Sequence, residues 1–173
     1  AYTMAGYHAE AAEILNRYDP ESLPESVWPE FVKASHNFYG EMSACASSDA
    51  VGDNKRELRD HYRAELVKLV PESSHEWYFL MSEEAKSYGD MEKAREYAAK
   101  MVESVAVNSH DYAKACYYFQ DVLPDDDPQK EDWIVRSAIA DMMCAIKDYT
   151  SLNMLSELLY ERGDIDRAFR YAA

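Results

Sequence analysis

One motif occurs three times in this chain, at residues 5–15, 88–98 and 162–172. Each copy has a glycine five residues before an alanine, and in the second and third copies an aspartate follows the glycine. The pairs are Gly6 and Ala11, Gly89 and Ala94, and Gly163 and Ala168. The intervals between copies are each close to two periods of the ~34–47 residues that helical-hairpin repeats use. The repetition therefore predicts an all-α fold, a right-handed α-solenoid of antiparallel helical hairpins with about nine helices.

The spacing inside the motif explains why it would form a hairpin. Two antiparallel helices pack closely only where small side chains meet, and a short turn needs a glycine with a left-handed backbone. Gly89 and Asp90 fit the turn and the cap of the next helix, and Ala94 fits the close contact. Seven residues before each of the last two glycines stands a serine, Ser82 or Ser156, where the partner helix is expected to approach.

The rest of the chain also has the pattern of helices separated by turns. Helices are predicted at residues 7–18, 27–47, from beyond 54 to 70, 74–88, 91–106, 109–122, 128–149, 151–162 and from 164 onward. Val51–Asn54 is predicted to be a break, and Pro29 and Pro128 are placed in first turns, where a missing N–H costs little. No segment alternates as a strand would.

Composition excludes several classes of function. The chain has 33 acidic and 18 basic residues and a net charge of −15, so nucleic acid and anionic lipid would be repelled. No stretch approaches the ~20 apolar residues of a membrane span. The three cysteines lie far apart in apolar contexts and are expected to be buried. We expect residues 1–173 to form one repeat domain, a fragment of a longer chain because the repeat pattern is incomplete at both ends.

The chain resembles the tetratricopeptide repeat (TPR) in the order of its small residues, turn glycine and large apolar positions. The resemblance is strongest at residues 74–106 and 150–173. In such repeats the first helix of each hairpin lines a concave groove. Carried over position by position, the resemblance implies partner-binding residues at Glu76, Phe79, Glu83, Lys86, Asn153, Glu157 and Tyr160. Phe79 and Tyr160 are the preferred contacts, and the alternative is that they pack against neighbouring repeats.

Residues 137–173 resemble the repeat region of signal-transducing proteins of Bacteroidetes, in which a TPR-like sensor segment precedes a membrane helix and a DNA-binding part. The resemblance implies the sensor or scaffold part of a bacterial transcription-regulatory protein. It also implies a periplasmic segment of a membrane-anchored protein, with the cytoplasm as the alternative.

The residues that carry chemistry in enzymes do not form a recognisable site. The five histidines include no HxxxH pair, and Glu72 with His75 gives a single ExxH at a helix start. Asp125–Asp127 lack the glycine and closing glutamate of a calcium loop and fit a helix cap better. We therefore predict no catalytic residue, no metal and no cofactor. The predicted function is binding of a protein or peptide, with self-assembly and capture of a small molecule or glycan as alternatives.

Overall fold

The structure is a computed structural model, and it describes residues 14–15, 17–19, 22–45, 49–107, 109–144 and 150–172. The chain divides into two compact units, which we call unit 1 (Ala1–Glu72) and unit 2 (Ser73–Ala173). Within the described ranges there are eight α-helices and no strand. The all-α helical-repeat class is confirmed, whereas the handedness of the repeat and the single domain stay predictions.

Unit 1 contains helix α1 (Trp28–Cys45) packed along helix α2 (Asp49–Leu69). Their shared core is formed by Phe31 and Val32 of α1 and Tyr62 of α2. The Phe31 and Tyr62 rings meet edge to face with centroids 6.0 Å apart, a geometry that aromatic pairs favour. Pro29 lies in the first turn of α1 as predicted.

The predicted break at Val51–Asn54 is wrong, because α2 already begins at Asp49 and runs through these residues. Gly52 inside a helix costs about 1 kcal/mol relative to alanine, which is little beside the packing of a 21-residue helix along α1. Residues 46–48, between the two helices, lie outside the described residues. Most of the predicted helix at 7–18 also lies outside them, although residues 14 and 15 are helical.

Unit 2 contains six helices that form three consecutive hairpins. They are α3 (His75–Ser87), α4 (Met91–Glu103), α5 (His110–Asp121), α6 (Lys130–Met143), α7 (Thr150–Glu161) and α8 (Ile165–Ala172). Each helix packs on the next one in the chain. One core joins α4, α5 and α6 around Met101, Tyr112 and Cys116, and a second joins α6, α7 and α8 around Ile134 and Leu155.

Serine and aspartate side chains cap four of the helices of unit 2, including the cap predicted at Asp90. The Ser74 hydroxyl accepts the N–H of Trp77, and the Ser109 hydroxyl accepts the N–H of Tyr112. The carboxylate of Asp90 accepts the Lys93 N–H. Asp164 accepts from Arg167 in the same way. These bonds satisfy donors that the first turn of a helix leaves without a partner.

Helix α6 is the exception, because it begins at Lys130 and not at Pro128 as predicted. The Asp127 carboxylate accepts the Gln129 N–H at 2.8 Å, which closes a separate turn around Pro128 before the helix starts. The predicted end of this helix at residue 149 lies outside the described residues, and the described helix ends at Met143.

The hairpin geometry follows the repeated motif. Gly89 and Gly163 have φ angles of 78° and 80°, in the left-handed region that glycine adopts without strain. The Ser82 hydroxyl donates to the carbonyl of Ala94 at 2.6 Å, and the Ser156 hydroxyl donates to the carbonyl of Ala168 at 2.9 Å. Since Ala94 is 0% and Ala168 3% exposed, the small residues meet their partner helix, as the spacing predicts.

Candidate partner-binding site

Three of the predicted groove residues on α3 contact α5. The Phe79 ring packs edge to face on Tyr118, with centroids 4.9 Å apart. The Glu83 carboxylate accepts the Tyr118 hydroxyl, and the Lys86 ammonium lies 2.6 Å from the Asp121 carboxylate. These three residues therefore contact the neighbouring hairpin, and each of them is partly buried. Glu76, the fourth predicted residue of α3, is exposed.

Tyr118 is the centre of this contact and remains a hydrogen-bond donor. Burial raises the pKa of its hydroxyl, and the nearby Glu83 carboxylate raises that pKa further because it repels a phenolate. The Tyr118 side chain therefore stays neutral and keeps the proton that it donates to Glu83. This hydrogen bond, an aromatic contact and an ion pair join α3 to α5.

The predicted residues on α7 are placed differently. Asn153 and Glu157 are exposed, and Tyr160 exposes 63% of its surface. Next to them α7 and α8 enclose a cleft of about 350 Å³, lined by Ser156, Glu157, Tyr160, Glu161, Ala168 and Phe169. We call this surface the terminal cleft. Two large aromatic side chains flank it, because Phe169 on α8 is 69% exposed.

A comparison of the second and third copies of the motif shows which helix contact the terminal cleft lacks. Aligning Gly89 with Gly163 places Glu157 at the position of Glu83 and Tyr160 at that of Lys86. In the second copy α5 contacts these positions, whereas in the third copy they are exposed. The structure therefore separates the predicted residues into two sets. Phe79, Glu83 and Lys86 contact α5, whereas the exposed residues are Glu76, Asn153, Glu157 and Tyr160.

Phe169 is a residue of the cleft that the sequence reasoning missed. The available signal was a difference between copies, because the residue after the motif alanine is Arg95 in one and Phe169 in the other. A position that arginine occupies in one copy is expected to face solvent, so the phenylalanine at that position in the other copy is expected to be exposed as well. This difference between the copies marks the exposed aromatic.

The hairpin that forms the terminal cleft is tied to α6 by charged groups. The Glu131 carboxylate of α6 contacts the guanidinium groups of Arg162 and Arg167, and Arg167 also pairs with Asp164 at 3.3 Å. Glu131 holds the pKa of the Arg167 guanidinium above its usual range, with Asp164 adding to the effect. The residues on both sides of the turn between α7 and α8 thus contact α6.

The described ranges of the chain contain no group of three His, Cys, Asp or Glu side chains that could hold a metal ion. Asp125 in the acidic loop pairs with Lys130 at 2.7 Å, and this contact lowers the pKa of the Asp125 carboxyl. None of the described helices combines the length and the apolar character that crossing a membrane requires.

Comparison with known proteins gives one match. The family model described as the SusR N-terminal TPR domain matches residues 1–173. No curated protein and no solved structure matches the chain. The match spans both copies of the repeat that form the covered and the open faces.

Proposed function

The chain belongs to the family of the SusR N-terminal TPR domain, and from this premise we propose that it is a non-catalytic module that binds a protein partner through the terminal cleft. TPR domains mediate protein interactions, and their repeats are typically non-catalytic. The family name and the resemblance of residues 137–173 to bacterial signalling proteins support a role in a bacterial sensory or regulatory protein.

The observation that carries the proposal is the exposure of Tyr160 and Phe169 on either side of a cleft. Aromatic side chains supply a large contact area at a small cost in conformational entropy, and they are enriched among residues that dominate binding energy. Tyr160 is one of the two contacts preferred from the sequence. It keeps that role in the proposal, whereas Phe79 is already packed on Tyr118.

The partner that fits the terminal cleft is an amphipathic helix. In the preceding copy of the repeat, α5 covers the equivalent face and satisfies Glu83 with a tyrosine hydroxyl. A partner helix would place apolar side chains between Tyr160 and Phe169 and a hydroxyl or a cation near Glu157. This is the helix-in-groove mode of recognition, in which side chains about three and four residues apart act as anchors.

A displayed library of helical peptides, selected against the full chain, tests the proposal. We expect the selected peptides to lose at least tenfold in affinity, about 1.4 kcal/mol, against the Tyr160→Ser and Phe169→Ser variants. The matched control is Tyr88→Ser, since Tyr88 is 81% exposed and lies outside the cleft. Its affinity for the same peptides should stay unchanged.

Two outcomes would contradict this assignment. Selected peptides that bind the two cleft variants as well as the original chain would place the binding surface elsewhere. Light scattering over a dilution series would identify self-association if it showed a dimer that the Tyr160→Ser variant cannot form. In that case the occupant of the cleft is a second copy of the chain and not a partner protein.

A further inference from the structure

A second surface with the character of a binding site lies within unit 1. It is an open groove of about 700 Å³ between the loop before α1, the first turn of α1 and the second half of α2. Its lining is apolar, acidic and in one place an imidazole: Leu23, Trp28, Pro29 and Leu69 are apolar, Asp19, Glu25 and Glu65 are acidic, and His61 carries the imidazole. We call it the unit 1 groove. It shares no residue with the terminal cleft.

The apolar floor of the unit 1 groove is held in place by the core beneath it. The Trp28 ring stacks on Phe31 with centroids 5.9 Å apart and an angle of 22° between the planes. Phe31 in turn packs on Tyr62 of α2, and both are buried. Trp28 itself is only partly buried, so its remaining surface faces the groove. Leu69 is 40% exposed at the far side.

Carboxylates predominate among the ionisable side chains around this floor. The described lining residues include three carboxylates and the imidazole of His61, and no lysine or arginine. Glu65 pairs with Lys68 at 2.6 Å, but Lys68 is largely exposed, and surface ion pairs of this kind contribute only about 0–1 kcal/mol. A ligand cation can therefore take the place of Lys68. The net charge of −15 on the chain adds a field that attracts cations.

We propose that the unit 1 groove binds an arginine or lysine side chain that a partner peptide presents next to an apolar residue. The aliphatic stem of such a side chain packs on apolar surface while its charged end reaches the carboxylates. A guanidinium or ammonium group over an indole ring gains a further cation–π attraction, for which tryptophan is the best partner. An anionic ligand would meet the three carboxylates, and a purely apolar one would leave them unused.

Nuclear magnetic resonance of the ¹⁵N-labelled full chain can test the proposal with a defined probe. The probe is the tripeptide Leu-Arg-Leu with an acetylated amino end and an amidated carboxyl end. The chain has three tryptophans, and a Trp28→Phe variant identifies the indole N–H signal of Trp28. We expect the probe to shift this signal saturably, and the same peptide with citrulline in place of arginine to bind at least fivefold more weakly.

Two pairs of substitutions distinguish binding of the probe in the groove from a general attraction of the probe to an acidic protein. Glu25→Gln with Glu65→Gln should weaken binding of the probe at least fivefold. The control pair Glu92→Gln and Glu103→Gln removes the same charge from exposed positions of unit 2, and it should change the affinity less than twofold.

Three results would overturn the inference. The first is a Trp28 signal that does not move with the probe. The second is equal binding of the citrulline peptide, which would leave only apolar contact. The third is a control pair that weakens binding as much as the groove pair does. The result is independent of the proposed function, because a Tyr160→Ser variant should bind the tripeptide as the original chain does.

Discussion

Replacing Gly89 with alanine should destabilise the chain, whereas replacing Gly40 with alanine should stabilise it. An added Cβ meets nothing within 4 Å at either position, so crowding plays no part in the comparison. The backbone differs, because Gly89 has a φ of 78° and Gly40 lies within helix α1. The sign of the effect should therefore follow from the backbone alone.

The turn at Gly89 explains the size of the loss. Its N–H donates to the carbonyl of Lys86 at 3.0 Å and the next N–H, of Asp90, donates to Ala85 at 2.9 Å, so two carbonyls at the end of α3 depend on this left-handed residue. A non-glycine residue there costs about 1–2 kcal/mol. Alanine also lowers the conformational entropy of the unfolded chain, which stabilises the folded state by about 0.4–1 kcal/mol. The net loss in free energy of unfolding is therefore about 1 kcal/mol. In a helix interior the same substitution gains about 0.5–1 kcal/mol.

Urea unfolding followed by circular dichroism at 222 nm measures both free energies of unfolding. The Gly89→Ala variant should lose about 1 kcal/mol, or roughly 2–4 °C in Tm, while Gly40→Ala should gain stability. Gly89→Asn is a third arm, since asparagine tolerates left-handed angles and should lose less than alanine. Gly163→Ala should behave like Gly89→Ala, because the Gly163 turn makes the same two hydrogen bonds, Gly163 to Tyr160 and Asp164 to Leu159. A Gly89→Ala variant as stable as Gly40→Ala would refute the reasoning.

Two further substitutions test the packing of unit 2. Ser82→Ala should cost about 0.5–1.5 kcal/mol in urea unfolding, because it removes the buried hydrogen bond to the carbonyl of Ala94. Ser156→Ala should cost less, since Ser156 is only partly buried, and equal losses would contradict this. Burial raises the pKa of the Cys116 thiol to about 11, so maleimide at pH 7.5 should leave Cys116 unmodified until urea unfolds the chain. Mass spectrometry of the labelled peptides measures this, and modification of Cys116 at equal rates with and without urea would show that the thiol is accessible.

The repeated hairpins could be read from the sequence because each of their determinants is local. A glycine that turns the chain, an aspartate that caps the next helix and a serine opposite an alanine all lie within a few residues of the turn. The structure places all of them in the expected roles. Local backbone chemistry is sufficient to determine such a hairpin, and the same chemistry recurs at Gly163.

Local signals were insufficient where packing opposes them. Val51–Asn54 has the composition of a turn, but it is helical in α2, because the gain from packing along α1 exceeds the cost of one glycine. Pro128 can begin a helix, but the Asp127 carboxylate forms a turn there first. In both places a competing interaction decided the boundary.

The sequence alone determined which faces the helices have, since the spacing of small, apolar and polar side chains sets what each hairpin can bury. Only the tertiary structure decided which of those faces is covered. Phe79 and Tyr160 occupy the same face of equivalent helices, and α5 lies over the first while the second is exposed. Coverage depends on a helix that lies tens of residues away along the chain, and no property of the local sequence encodes where that helix will pack.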